Sequence, residues 1–149
     1  MKYFAVDFDV PFEFGDAVKI DQDPASWRDG RRPFITIDLL LVQLPIPDLT
    51  TTFGIYFATS ALATKLRSFS GLRERQFTLS FDPQMEELGE FEGKELPELT
   101  CFEVVGTYPE HDFAHVKGVS GLLVSEQAWA AVQQFDLGDA DVELYEPLA

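Results

Sequence analysis

TSALATKLRSF, residues 59–69, and SEQAWAAVQQF, residues 125–135, decide how this sequence folds. Each opens on hydroxyl residues, Thr59 and Ser60 or Ser125, whose side chain can accept a hydrogen bond from the orphan amides of a helix start. Leu62, Leu66 and Phe69 then recur at helical spacing, as do Ala128, Trp129, Val132 and Phe135. Gly71 and Gly138 stand where each helix should stop. Two short amphipathic helices are therefore expected, over about 59–70 and 125–135. A shift of 66 residues lays Thr59 on Ser125, Leu62 on Ala128, Leu66 on Val132 and Phe69 on Phe135. An apolar strand precedes each helix and another strand follows it. Two readings stand at this point. The chain carries an internal strand–helix–strand repeat, or it is an α+β chain that happens to own two capped helices.

Working outward, strands are read at KYFAVDF (2–8), FITIDLLLVQL (34–44), TFGIYFA (52–58), RQFTLSF (75–81), LTCFEVVGTY (99–108), GLLVS (121–125) and ADVELYEPL (140–148), with a short one at HDFAHV. Residues 15–33 are polar and broken by glycine and proline, so a loop is expected there. Within it, DPASW suits one helical turn, with Asp23 as cap and Pro24 at the first position. Few helices among many strands give an α+β fold with a mostly antiparallel sheet. At 149 residues the whole chain, 1–149, fits one domain.

The composition excludes several functions. Hydrophobic residues make up 46% of the chain and 14 of its residues are Phe, which is too apolar for a disordered acidic tail. Acids outnumber bases 26 to 11, for a net charge of −15, so the field repels phosphate backbones and anionic lipid. Neither nucleic acid nor a membrane is an expected partner; a basic protein is. Asp7 and Asp9 interrupt the N-terminal apolar run, so no secretory signal is read there, and no window is long and apolar enough to span a bilayer. A soluble, cytoplasmic protein is expected. Cys101 is the only cysteine and is read as a small buried hydrophobe. The chain leaves its oligomeric state open.

Catalytic grammar is sparse. No phosphate-binding loop, dinucleotide fingerprint or nucleophile elbow is present. Two pairs offer metal chemistry as an alternative. Asp7 and Asp9 at a strand end point the same way, and His111 and His115 share one face whether the segment is helix or strand. A solvated strand end is the better account of the first, and Pro109 argues against a helix for the second, so no metal, cofactor or catalytic residue is assigned. The arginines at 28, 31 and 32, and the basic residues at 65, 67, 73 and 75, are read as offsetting acids and complementing a helix C-terminus. Trp27, beside Arg28, is a candidate contact anchor.

The remaining feature is MEELGEFEGKELPEL, residues 85–99, with six glutamates and one lysine. Gly89, Gly93 and Pro97 argue against a long helix, so it is read as a long connection between strands. Glu86, Glu87, Glu90, Glu92 and Glu95 are its candidate partner-binding residues, with Leu88, Phe91 and Leu96 to hold it down.

VKGVSGLLVSEQAWAAVQQFDLGDADVELYEPL, residues 116–148, resembles the end of a bacterial immunity-protein family of polymorphic-toxin systems, of the myxobacterial type. Leu123, Val124, Ser125 and Glu126 resemble its strand and helix cap, Trp129, Val132 and Phe135 its helix face, and Val142, Leu144, Tyr145 and Pro147 its last strand. The opening MKYFAVDFD resembles the family's first strand. The resemblance implies a cytoplasmic, non-catalytic antidote that binds a cognate protein toxin and blocks it. With this acidity a basic, nuclease-type toxin is the natural partner. An acidic mimic of DNA is a further alternative.

Overall fold

The computed structural model describes residues 2–147; Leu148, the end of the last expected strand, lies outside them. In chain order the elements are β1 (Tyr3–Asp7), β2 (Phe12–Phe14), β3 (Lys19–Ile20), β4 (Phe34–Thr36), β5 (Asp38–Leu41), β6 (Leu49–Thr52), β7 (Ile55–Thr59), α1 (Ser60–Leu66), β8 (Leu72–Arg75) and β9 (Thr78–Phe81). They continue as α2 (Pro83–Glu87), β10 (Leu99–Val104), β11 (Phe113–Ala114), β12 (Leu122–Ser125), α3 (Glu126–Val132) and β13 (Asp141–Leu144). The fold is α+β, and only β5 and β9 pair in parallel among the described residues.

Two four-stranded sheets share one plan. One runs β6-β7-β10-β8 and the other β11-β12-β1-β13. In each, a hairpin is followed by a helix, a third strand pairs with the hairpin's second strand, and the strand after the helix closes the far edge. Registers agree as well. Leu99 lies opposite Thr59 and Cys101 opposite Phe57 in the first copy. Tyr3 lies opposite Ser125 and Ala5 opposite Leu123 in the second. The repeat is thus real, and it is wider than strand–helix–strand: the third strand of the second copy is β1, at the other end of the chain.

The two copies are bolted together by equivalent carboxylates. Thr59 Oγ1 donates to Asp48 Oδ1 and Ser125 Oγ to Asp112 Oδ1, each at 2.7 Å. The second oxygen of each Asp reaches into the other copy. Asp136 N donates to Asp48 Oδ2 and Ser70 N to Asp112 Oδ2, each at 3.0 Å. Residues 70 and 136 are again 66 apart, so the exchange is reciprocal, as a two-fold arrangement requires.

Between the copies, α1 packs against α3, and Leu62, Leu66, Ala128 and Val132 join Tyr56, Phe102, Phe113 and Leu122 in the main core. Strand side chains alternate, so the other faces of the two sheets need their own cover. Ile55, Phe57 and Cys101 of the first copy pack on a three-stranded sheet, β2-β5-β9, through Phe12, Leu39 and Leu41. The second copy has only a small outer cluster around Tyr3, Ala114 and Leu123, roofed by Tyr108, Val116, Val119 and Tyr145. The covering sheet comes from two inserted segments, residues 8–48 and 76–98. They leave the repeat at different points of the chain and meet on one face.

Several boundaries differ from the sequence reading. The stretch read as one strand at 34–44 is two, because β4 pairs with β3 in one sheet and β5 with β2 and β9 in another. The run at 75–81 divides into β8 and β9, which belong to different sheets. β6, which follows Pro45 and Pro47 and lies mostly outside the strands read from the sequence, is a strand whose Thr50 and Thr52 are buried. The turn at Pro24–Ser26 forms as expected, and Asp23 Oδ1 accepts from Ala25 N at 3.0 Å. The helices stop early, at Leu66 and Val132.

Candidate functional site

The glutamate stretch is more ordered than a loop. Asp82 is buried and its Oδ2 accepts from Met85 N at 3.2 Å, so it caps α2, with Pro83 at the first helical position. This third helix is a correction to the reading of 85–99 as plain connection. Gly89 ends it at φ +80°, a conformation glycine enters freely. Phe91 is then buried and stacks on Phe81, with ring centroids 4.3 Å apart. Leu88 and Leu96 stay exposed and hold nothing down. Glu86, Glu87, Glu90, Glu92 and Glu95 are all exposed, and none takes part in an ion pair among the described residues. Two anchors, Asp82 and Phe91, fix the backbone that presents them.

Trp27 is elsewhere. It is half-buried, its Nε1 donates to Asp21 O at 3.2 Å, and Arg32 lies 4.6 Å over its ring. It lines a cleft of about 500 Å³ between the inserted arm and the first copy; the candidate glutamates do not. The structure does not bring Trp27 and the glutamates together.

The cleft gathers residues that the sequence reading had spread out. Arg28, Arg31, Arg32, Arg73 and Arg75 all line it, five of the chain's six arginines. As expected of the basic residues, Lys65 stands in the last turn of α1, Arg67 closes that helix and pairs with Glu74 at 3.0 Å, and Arg73 and Arg75 offset Glu103. Asp29 and Glu103 are the only acids in the lining, which leaves a local charge of +3 in a chain of −15. Two of the guanidiniums are fixed by main chain. Arg31 donates to Val119 O at 2.8 Å, tying the arm to the β11–β12 connection. Arg75 donates to Phe34 O at 3.0 Å and to Glu103 at 2.6 Å. Arg73 shares the same Glu103, so two cations divide one carboxylate. The guanidinium of Arg28 is exposed and donates to no protein group among the described residues.

His115 forms part of the cleft wall. Its Nε2 lies 3.0 Å from Tyr56 Oη. Burial, and then the charge of Arg31, push His115 down to about 3, so it is neutral at physiological pH. Burial likewise raises the Tyr56 hydroxyl far above its ordinary value. His111 is committed separately, its Nδ1 accepting from Thr107 N at 2.9 Å. Asp7 lies opposite Asp141 across a strand pair, and Asp9 Oδ2 accepts from Asp139 N at 3.2 Å. Among the described residues no group of three or more His, Cys, Asp or Glu is placed to hold a metal ion. Cys101 is buried, and burial pushes its thiol up to about 12, which leaves little thiolate for chemistry. No helix of the described residues is long and apolar enough to cross a membrane.

The sequence held a signal for the cleft: RDGRR at 28–32 and RER at 73–75 are compact arginine runs. Their meeting was hidden because it depends on Arg75 reaching β4, some forty residues earlier. Set against family models, curated proteins and solved structures, the chain matches none.

Proposed function

We propose that this protein is a non-catalytic binding protein that neutralises a basic protein partner, as an immunity protein neutralises a cognate toxin. The observation that carries the reading is the β9–β10 connection. Its backbone is fixed by Asp82 and Phe91, and it presents five exposed glutamates without cationic partners among the described residues. Holding the backbone lowers the ordering cost when the array meets a basic surface. The net charge of −15 steers that surface toward it. Carboxylates placed this way can occupy a site built for phosphates, so a nuclease-type toxin is the favoured partner.

The test is co-expression with the product of the adjacent open reading frame, followed by growth rescue and association kinetics on the purified pair. Rescue and a 1:1 complex are expected. Replacing Glu86, Glu87, Glu90 and Glu92 by Gln should slow association about tenfold at low salt and remove most of its salt dependence. An unchanged rate and salt slope would remove the glutamates from the interface.

A further inference from the structure

The hairpin between β6 and β7 has a two-residue turn, Phe53-Gly54, and both residues have positive φ, 44° and 83°. Such turns favour Asn-Gly, because a residue with a bulky Cβ substituent is strained at the first position. Phe53 is nonetheless there and is 73% exposed. Its ring lies beside that of Phe14, centroids 5.0 Å apart. A phenylalanine that is strained in its backbone and wet in its side chain contributes little to folding, and strained residues of this kind cluster at ligand sites. Phe53 forms part of the lining of the arginine cleft.

We infer that the cleft binds an aromatic phosphate of mononucleotide size, with its ring against Phe53 and Trp27 and its phosphate among Arg28, Arg31 and Arg73. The volume of about 500 Å³ suits a ligand of that class. Guanidiniums match phosphate oxygens two at a time, and Arg28 and Arg31 from the arm and Arg73 from β8 line the same cleft. Arg31 is already fixed by its bonds to Val119 and Ser120, so it need not be ordered on binding. The local charge of +3 stands apart from a remainder of −18, which favours anion binding in the cleft over the rest of the surface. The ring stacks on the exposed Phe53 and meets Trp27, whose ring also carries the Arg32 guanidinium. Nothing in this inference uses the glutamates, so it stands or falls apart from the toxin reading.

Titration calorimetry on the full chain with ATP, AMP, inorganic phosphate and a polyglutamate peptide tests it. ATP and AMP should bind, and inorganic phosphate should bind at least about tenfold more weakly because it lacks the ring. Phe53→Asn should weaken AMP about tenfold while the thermal midpoint stays level or rises, since Asn suits the turn. Arg28→Gln, at an exposed side chain without a protein partner, should weaken both nucleotides and reduce the salt dependence of binding whatever Phe53→Asn does to the fold. Absence of ATP and AMP binding at about 1 mM overturns the inference. So does AMP binding unaffected by both variants, or polyglutamate binding that AMP does not displace.

Discussion

The two copies of the repeat share a frame and differ in charge at their open edges. In the first, Arg73 of β8 lies opposite Glu103 of β10 and pairs with it. At the matching place in the second, Asp141 of β13 lies opposite Asp7 of β1. The first copy has its outer face covered by the inserted sheet, and the cleft forms against that cover. The second leaves β13 exposed along its whole length. What the copies keep in common lies inside: helix faces, register and the Asp–hydroxyl joints. What they vary lies outside, where binding is decided. Folding constrains the buried half of each copy, and the surface half is free to diverge.

The largest expected effect breaks the shared interior. Leu66 and Val132 sit at matching helix positions, and both are 1% exposed. Leu66→Ala should cost about 3 kcal/mol and Val132→Ala about 2, since a larger side chain leaves a larger cavity. Chemical denaturation measures both. Because the two helices touch, the double variant should depart from additivity, whereas separately folding halves would give a simple sum.

The joints come next. Asp112 accepts from Ser125 Oγ, Ser70 N and Ser70 Oγ, one bond more than Asp48 receives. Asp112→Ala should therefore destabilise by about 2–3 kcal/mol, more than Asp48→Ala does. Burial alone pushes the Asp112 carboxyl up. The bonds from Ser125 and Ser70, with the charge of His111, outweigh it and hold the carboxyl below its ordinary value. A lowered folded-state pKa gives stability that is fully present above the ordinary carboxylate value of about 4 and is lost as the pH falls through the lowered one. Asp112→Asn should flatten the fall in thermal midpoint over that acid range. A wild-type slope in the variant would place the titration elsewhere.

The caps separate the copies more finely. Ser125 Oγ donates to Asp112 and also accepts from Ala128 N at 3.2 Å, while Thr59 makes no side-chain cap. Ser125→Ala should cost about 1 kcal/mol more than Thr59→Ala, the usual worth of a cap. Equal costs would mean that the cap bond contributes nothing.

These contrasts also explain what could be read from the chain. The helix faces, the Ser125 cap and the 66-residue offset are local patterns, and they were legible. β6 was not, because Pro45 and Pro47 just before it read as a turn and its threonines are buried only through tertiary contacts. Asp112 stands beside His111 in the chain, and its joint role depends on Ser70, 42 residues away. Asp7 and Asp9 suggested a metal pair. Their actual neighbours, Asp139 and Asp141, come from the far end of the chain. The arginine cleft needed the arm and β8 to meet, which no local period encodes.

The smallest effect converts one edge into the other. Like charges directly opposite in a strand pair repel, whereas an opposite pair contributes a few tenths of a kcal/mol to about 1. Asp141→Arg places beside Asp7 the arrangement that Arg73 has beside Glu103. It also lowers the chain's acidity at the edge where Glu143 stands across from Ala5. The variant should gain about 0.5 kcal/mol at low salt, and the gain should shrink as salt screens the exposed pair. Since β13 takes no part in the cleft or the glutamate connection, partner association should change only through net charge. A gain in stability that persists at about 1 M salt would point to packing by the longer side chain instead. No change would mean that solvent already relieves the Asp7–Asp141 opposition.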